Sequence, residues 1–127
     1  MMNTPIRILG LDPGLRRTGW GMVAVEGSRL TWIAHGVIAP REAAPLSDRL
    51  LALFEGVTAI VAEHAPHEAA IEETFVNANG QSTLKLGQAR AAAMLAPARA
   101  GLTVAEYAAR EAEVRAGQAV GPERLDA

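Results

Sequence analysis

The chain has 127 residues, of which 50% are apolar, with a formal net charge of −2 and no cysteine. A chain of this length buries roughly two thirds of its unfolded surface, which is enough for one domain with a single core. The lack of cysteine excludes disulfides and thiolate metal sites, and the slight negative charge means that any nucleic acid must be bound by a local basic patch. No segment approaches the roughly 20 apolar residues that span a bilayer, and the N-terminus lacks a signal-peptide pattern, so we expect a cytoplasmic protein.

The first 38 residues predict three neighbouring antiparallel strands. Residues 6–12 form an apolar run that ends at Pro13-Gly14, and residues 19–26 alternate between large and small apolar residues. A third strand is predicted over residues 29–38. The segment Glu26-Gly27-Ser28 is a hairpin-type connection, so the second and third strands should pair directly.

The remaining elements alternate between helix and strand. Apolar residues at helical spacing predict a helix from Leu46 to about His64, and residues 68–73 predict a short strand that ends in acids. Ser82 is a candidate N-cap for a second helix that reaches Ala93 or beyond and is ended or kinked by Pro97. Residues 102–107 predict a fifth strand. Alternation of this kind indicates parallel pairing and an α/β fold.

Two carboxylates lie at predicted strand ends. Asp12 follows the first strand and Glu72 lies at the end of the fourth. If these strands pair in parallel, both side chains meet at one edge of the sheet, where ligands of open parallel sheets usually bind. Oxygen donors from two strands would suit a divalent ion that activates water and polarises a phosphate. The alternative is that Asp-Pro-Gly is an ordinary turn and that Glu72 is a solvated strand end.

Three segments resemble the RuvC family of Holliday-junction resolvases. They are "LGLDPGLRRTGWG" at 9–21, "AIEETFVNANGQSTLKLGQAR" at 70–90 and "VAEYAAR" at 104–110. The second is the most specific, because "LKLGQAR" after an "AIE" strand is typical of that family. The resemblance extends from residue 6 to about residue 110.

The resemblance implies a ribonuclease-H-like fold, a mixed sheet of three antiparallel strands plus parallel strands flanked by helices. It also implies a homodimer that nicks two opposed strands of a four-way DNA junction and works with the branch-migration proteins RuvA and RuvB. In that family the aspartate of "DPG" and the first glutamate of "AIE" bind Mg²⁺, with two ions per complete site. The catalytic and metal-binding roles therefore fall on Asp12 and Glu72.

The segment after Glu72 carries the DNA-binding candidates. Phe75 matches an aromatic residue of the family that stacks on a junction base, an interaction worth about 1–3 kcal/mol. Ser82, Lys85, Gln88 and Arg90 are candidates for contacts with phosphates, since residues 82–100 contain basic residues and no acid. The alternatives are a buried ring at Phe75 and an ordinary solvated helix face.

The resemblance weakens after residue 110. Family members complete the site with two acids on a C-terminal helix that reads like "DAADAL", and we find only Asp126, too early and without a helix around it. Glu113 stands where the family has a lysine that helps to stabilise the phosphate. We therefore expect residues 1–127 to form a single nuclease domain that is truncated at its C-terminus, with one sheet face uncovered and marginal stability or self-association.

Three functions remain open at this point. The first is a magnesium-dependent junction endonuclease of DNA recombination and repair, and the second is a junction-binding remnant without catalysis. The third is a phosphotransferase of the sugar-kinase superfold, which also opens with an aspartate, a glycine turn and "TG". The sequence contains no glycine-rich phosphate loop of the type GxxxxGK[ST], which counts against the third function.

Overall fold

Five strands and two helices form in the order β1, β2, β3, α1, β4, α2, β5. The computed structural model describes residues 4–73 and 79–107. The strands are β1 (Ile6–Asp12), β2 (Thr18–Glu26), β3 (Arg29–Ile38), β4 (Glu68–Glu72) and β5 (Thr103–Tyr107), and the helices are α1 (Leu46–His64) and α2 (Gly80–Arg99). These bounds agree with the sequence prediction to within one residue for every strand and for α1.

The five strands form one mixed sheet in the order β3-β2-β1-β4-β5. The first three strands are antiparallel neighbours, and Gly27, with a φ of 61°, closes the turn between β2 and β3. β4 pairs in parallel with β1 on one side and with β5 on the other. The predicted combination of antiparallel and parallel pairing is therefore present.

One face of the sheet carries the core. Leu9, Met22 and Ile71 on this face are all 0% exposed. Leu53 and Val57 of α1 are buried in the same cluster, together with three alanines of α2, namely Ala89, Ala93 and Ala96. The small side chains of α2 allow a close approach of the helix to the sheet, which explains why a helix of low overall hydrophobicity packs here.

The opposite face of the sheet has no helix against it among residues 4–73 and 79–107. It forms a broad depression of about 1000 Å³ lined by all five strands. Its floor is made of small residues, Gly10, Gly21 and Ala70, and Trp32 lies at its side, 49% exposed.

One local prediction for α2 is wrong. Its N-cap is Asn79 rather than Ser82, because the Asn79 side chain accepts a hydrogen bond from the Ser82 backbone N–H at 3.1 Å. The helix extends beyond Ala93, as predicted, and ends at Arg99, two residues after Pro97. Neither helix in the described part of the chain has the length and apolar character needed to cross a membrane.

We expect Gly36→Ala to destabilise the fold by about 1–3 kcal/mol, because a Cβ there would lie 2.9 Å from Nε1 of Trp20. The Trp20 ring cannot move away easily, since it packs on the core and lies 5.6 Å from the His64 ring of α1. Urea unfolding followed by circular dichroism measures the effect. Gly10→Ala is the control, because its Cβ would meet only a backbone oxygen at 3.8 Å. Equal unfolding midpoints for the two variants would contradict the packing described here.

Candidate active site

Asp12 lies at the carboxyl end of β1, where the chain turns sharply. Gly14 is required in this turn because a Cβ there would lie 2.5 Å from the Arg17 carbonyl oxygen. Thr18, which is 0% exposed, fixes the turn from its other side. Its hydroxyl donates to the Gly14 carbonyl at 2.8 Å and accepts from the Gly14 N–H at 3.2 Å. The backbone that follows Asp12 is thus held by a buried side chain.

Helix α1, which packs on the core face of the sheet, contacts the same turn. Leu15 is buried, and its carbonyl accepts a hydrogen bond from Nη2 of Arg49 at 3.3 Å. The turn between β1 and β2 is therefore attached to the sheet through Thr18 and to α1 through Arg49. Because the turn is attached twice, contacts with the packed core fix the position of Asp12.

Parallel pairing brings Glu72 beside Asp12. The register between β1 and β4 runs from Ile8 opposite Glu68 to Leu11 opposite Ile71, and one further residue on each strand gives Asp12 and Glu72. Neighbouring strands lie about 4.8 Å apart, and residues in register point to the same face of the sheet. Asp12 and Glu72 therefore share the edge that the sequence predicted, and they also share one face of the sheet.

The surroundings leave space beside Asp12. On the β2 side the partner of Asp12 is Gly19, where even an added Cβ would lie 3.8 Å from the Asp12 Cβ. The Asp12 side chain is exposed, and Asp12 lines the open depression together with Tyr107. Within residues 4–73 and 79–107, Asp12 is therefore accessible from this face of the sheet.

The donor chemistry of this pair suits one divalent ion. Hard cations such as Mg²⁺ take oxygen ligands, and Mg²⁺ is usually held by one or two carboxylates together with substrate phosphates and water. No group of three or more His, Cys, Asp or Glu side chains is placed to hold a metal within the described ranges. Asp12 and Glu72 fit a single ion, whereas a second ion would need additional oxygen donors.

The predicted DNA-binding residues on α2 differ in their surroundings. Ser82 and Lys85 are exposed in the first turns of the helix, which contain no acid. Gln88 is half-buried, and its Oε1 is buried with no hydrogen-bond partner among the described residues. Arg90 donates to the Glu72 carbonyl at 3.3 Å and forms an ion pair with Glu106. Phe75, Glu113 and Asp126 lie outside the described residues.

Sequence reasoning missed two residues that support this site. The sequence pattern does not single out Thr18, although its burial and its bonds to Gly14 hold the turn. It does not single out Glu106 either, although Glu106 is the partner of Arg90. The available signal was the alternation of β5, which places Glu106 on the same face as Val104, a residue packed against the core.

Comparison with protein families and curated proteins gives one consistent result. Residues 8–121 match the family described as "Crossover junction endodeoxyribonuclease RuvC". The protein of that name from Caulobacter vibrioides is 70% identical over 113 residues, which cover 87% of this chain and 67% of the relative. The one from Maricaulis maris is 68% identical over 109 residues, covering 86% of this chain and 66% of the relative. The chain thus spans about two thirds of the length of these relatives.

Solved structures agree with the predicted fold class. Thermus thermophilus RuvC in complex with a Holliday junction substrate has a TM-score of 0.77 and 26% identity, with 94% of this chain and 86% of that chain covered. The yeast mitochondrial Holliday junction resolvase Ydc2 has a TM-score of 0.63 at 11% identity, covering 87% of this chain and 56% of that chain, and shows the fold alone. The predicted ribonuclease-H-like mixed sheet flanked by helices is confirmed.

We expect Thr18→Val to lower the free energy of unfolding by about 1–3 kcal/mol, because valine keeps the shape but leaves the Gly14 N–H and carbonyl without their buried partner. Thr58→Val is the matched control, since the Thr58 hydroxyl also donates to a backbone carbonyl, that of Phe54, but at an exposed position. Urea denaturation of both variants measures the difference. If Thr18→Val were no more harmful than the control, the buried turn would not depend on the Thr18 hydroxyl.

Proposed function

We propose that this chain, which belongs to the RuvC family of crossover junction endodeoxyribonucleases, hydrolyses phosphodiester bonds at four-way DNA junctions. The observation that carries the proposal is the parallel register of β1 and β4, which sets Asp12 beside Glu72 at one edge of the sheet. The family membership argues against the phosphotransferase alternative.

In this proposal Asp12 and Glu72 are the catalytic carboxylates and would together hold Mg²⁺. When bound, such an ion supplies positive charge at the scissile phosphate and favours attack by water. Asp12 contributes a carboxylate that precedes a turn held at Gly14 by the Thr18 hydroxyl, so little reorganisation is needed when the phosphate arrives. Glu72 contributes the second carboxylate from the adjacent strand. A second ion in the complete site would require acids outside this pair.

DNA binding is proposed for the segment that links β4 to α2 and for the first turns of α2. Lys85 and Ser82 are exposed and lie on a helix whose N-terminal turn contains no acid, which favours contact with phosphates. Phe75 lies three residues after Glu72 in the sequence, and stacking on a junction base is proposed for it. Gln88 stays a prediction as a DNA contact, whereas the ion pair of Arg90 with Glu106 argues against a phosphate contact at Arg90.

Homodimer formation is proposed through the outer surface of α2. Leu84 is 62% exposed and Leu95 is 59% exposed, and Gly87 and Ala91 lie between them on the same side of the helix at positions that are also exposed. This apolar stripe, at spacings of three and four residues, is typical of a helix that packs against a partner. A homodimer would present two catalytic sites to the two opposed strands. Cooperation with RuvA and RuvB and a cytoplasmic location stay predictions.

A second candidate is a junction-binding protein without cleavage activity. The observation that favours it is that only two carboxylates meet at the sheet edge within the described residues. Two-ion hydrolysis needs more negative charge than two carboxylates supply. Binding without cutting by the chain itself would select this second function.

We expect Asp12→Asn and Glu72→Gln each to reduce cleavage of a synthetic four-way junction in Mg²⁺ at least about 100-fold, because each removes one charged ligand at the reacting phosphate. Binding of the junction in Ca²⁺, measured by gel shift, should change less than about threefold, since neither side chain is proposed to recognise DNA.

The matched control is Glu68→Gln, which removes an acid from the same strand at the other end of the register with β1. It should cleave at the rate of the unchanged chain. Equal losses for Glu68→Gln and Glu72→Gln would contradict the assignment, because the effect would then reflect the overall charge of β4.

We also expect the double variant Leu84→Glu with Leu95→Glu to be monomeric in sedimentation velocity, where the unchanged chain is dimeric. Charged residues on both copies would repel each other across the interface and remove its apolar contact. Leu51→Glu on α1 is the control, because Leu51 is 53% exposed but lies outside the stripe. A dimer that survives both substitutions on α2 would exclude this surface.

A further inference from the structure

Arg90 connects three elements beneath the candidate active site. It lies on α2 with its side chain only 17% exposed. Its Nε donates to the backbone carbonyl of Glu72 at the end of β4, at 3.3 Å, and its Nη2 donates to Oε1 of Glu106 on β5. One side chain therefore attaches the helix to the end of the strand that carries a proposed catalytic carboxylate.

The same strand end is held a second time by the backbone. The N–H of Glu73 donates to the carbonyl of Tyr107, which continues the pairing of β4 and β5 by one residue beyond Glu72. β4 has only five residues, so the contacts at its last residue contribute much to the placement of the strand end. The Arg90 contacts supply both a helix attachment and a charge-assisted bond at this point.

The surroundings of Arg90 are those of an ion pair between a largely buried guanidinium and a half-exposed carboxylate, rather than those of a phosphate site. Glu106 neutralises the guanidinium, and its carboxylate would repel a phosphate that approached Arg90. Lys85 on the same helix differs, since it is exposed and forms no ion pair among those found in the described residues. Lys85 and Arg90, the two basic residues of the "LKLGQAR" segment, therefore have different surroundings.

We propose that Arg90, paired with Glu106, is a positioning residue that fixes the end of β4 and so holds the Glu72 carboxylate beside Asp12. The inference rests on the proposed function, in which Glu72 holds a divalent ion. Arg90 acts through Glu72 and does not contact the DNA. Supporting residues of this kind typically change metal affinity by about 10- to 100-fold when they are replaced.

The test measures metal binding and junction binding separately in the full chain. Arg90→Lys keeps the charge but loses the planar fork that reaches two acceptors at once, and Glu106→Gln keeps an acceptor but loses the charge. Mn²⁺ affinity without DNA is measured by electron paramagnetic resonance, and junction affinity in Ca²⁺ by fluorescence anisotropy. Lys85→Gln serves as the control for a phosphate contact.

We expect Arg90→Lys and Glu106→Gln each to weaken Mn²⁺ binding about tenfold and to raise the Mg²⁺ concentration for half-maximal cleavage similarly, with junction affinity within twofold. The double variant should be no worse than either single variant, because both break one connection. Lys85→Gln should weaken junction binding several-fold at low salt and leave Mn²⁺ binding unchanged. A purely structural role would lower the melting temperature without shifting Mn²⁺ affinity.

The outcomes separate this inference from the function on which it rests. If Glu72→Gln weakens Mn²⁺ binding but neither Arg90→Lys nor Glu106→Gln does, the positioning role is overturned and the metal site stands. If Arg90→Lys instead weakens junction binding with Mn²⁺ affinity unchanged, Arg90 is a phosphate contact. If Glu72→Gln itself leaves Mn²⁺ binding unchanged, both the proposed metal site and the proposed role of Arg90 are contradicted. Should Arg90→Lys fail to fold, Glu106→Gln carries the same comparison.

Discussion

The parallel pairing of β1 with β4 is the constraint on which the site depends. These strands are separated by more than fifty residues of sequence, and only their hydrogen-bonded register brings Asp12 to Glu72. Because side chains alternate across a strand, a shift of one residue would send one of the two carboxylates to the opposite face of the sheet. The buried Leu9, Leu11 and Ile71 side chains prevent such a shift, since it would expose them. The packing of the core therefore also fixes the geometry of the site.

The site is also supported from below by polar contacts that reach the backbone rather than the carboxylates. Thr18 and Arg49 hold the turn after Asp12, and Arg90 holds the end of β4. In each case a side chain from a neighbouring element bonds to a carbonyl beside the site. This arrangement fixes the strand ends from the core side of the sheet. Positioning of this kind reduces the reorganisation that a reaction requires.

Much of the fold could be predicted from the sequence because its signals are local. The spacing of apolar residues over 46–64 gives α1 its bounds, and Pro66 explains why it stops. The pairing of Asp12 with Glu72 followed from helix–strand alternation, and the resemblance to the RuvC family is confirmed by the comparisons. The N-cap of α2 was missed because Asn79 and Ser82 are both good capping residues, and only the backbone geometry shows which one accepts the hydrogen bond.

The tasks of Arg90 and Glu106 could not be predicted in the same way. Basic residues on a helix near a phosphate site and acids in a late strand each have an ordinary explanation as solvated charges, and their contact depends on how α2 lies on the sheet. Arg90 and Glu106 are sixteen positions apart in the sequence, and their contact is seen only in the packed structure of α2 and β5. The resemblance indicated the family and the candidate site residues, whereas the structure gives the contacts around those residues.

The central claim is that Asp12 and Glu72 hold one divalent ion together. Titration of ¹⁵N-labelled protein with Mn²⁺, followed by nuclear magnetic resonance, tests it directly, because Mn²⁺ broadens the amide signals nearest to it. The account predicts that the amides at the ends of β1 and β4 broaden together at the lowest Mn²⁺ concentration. Those near Glu68, about 13 Å along the strand from Glu72, should persist. Broadening that begins at only one of these two strand ends, or at the acids of α1, would contradict the claim.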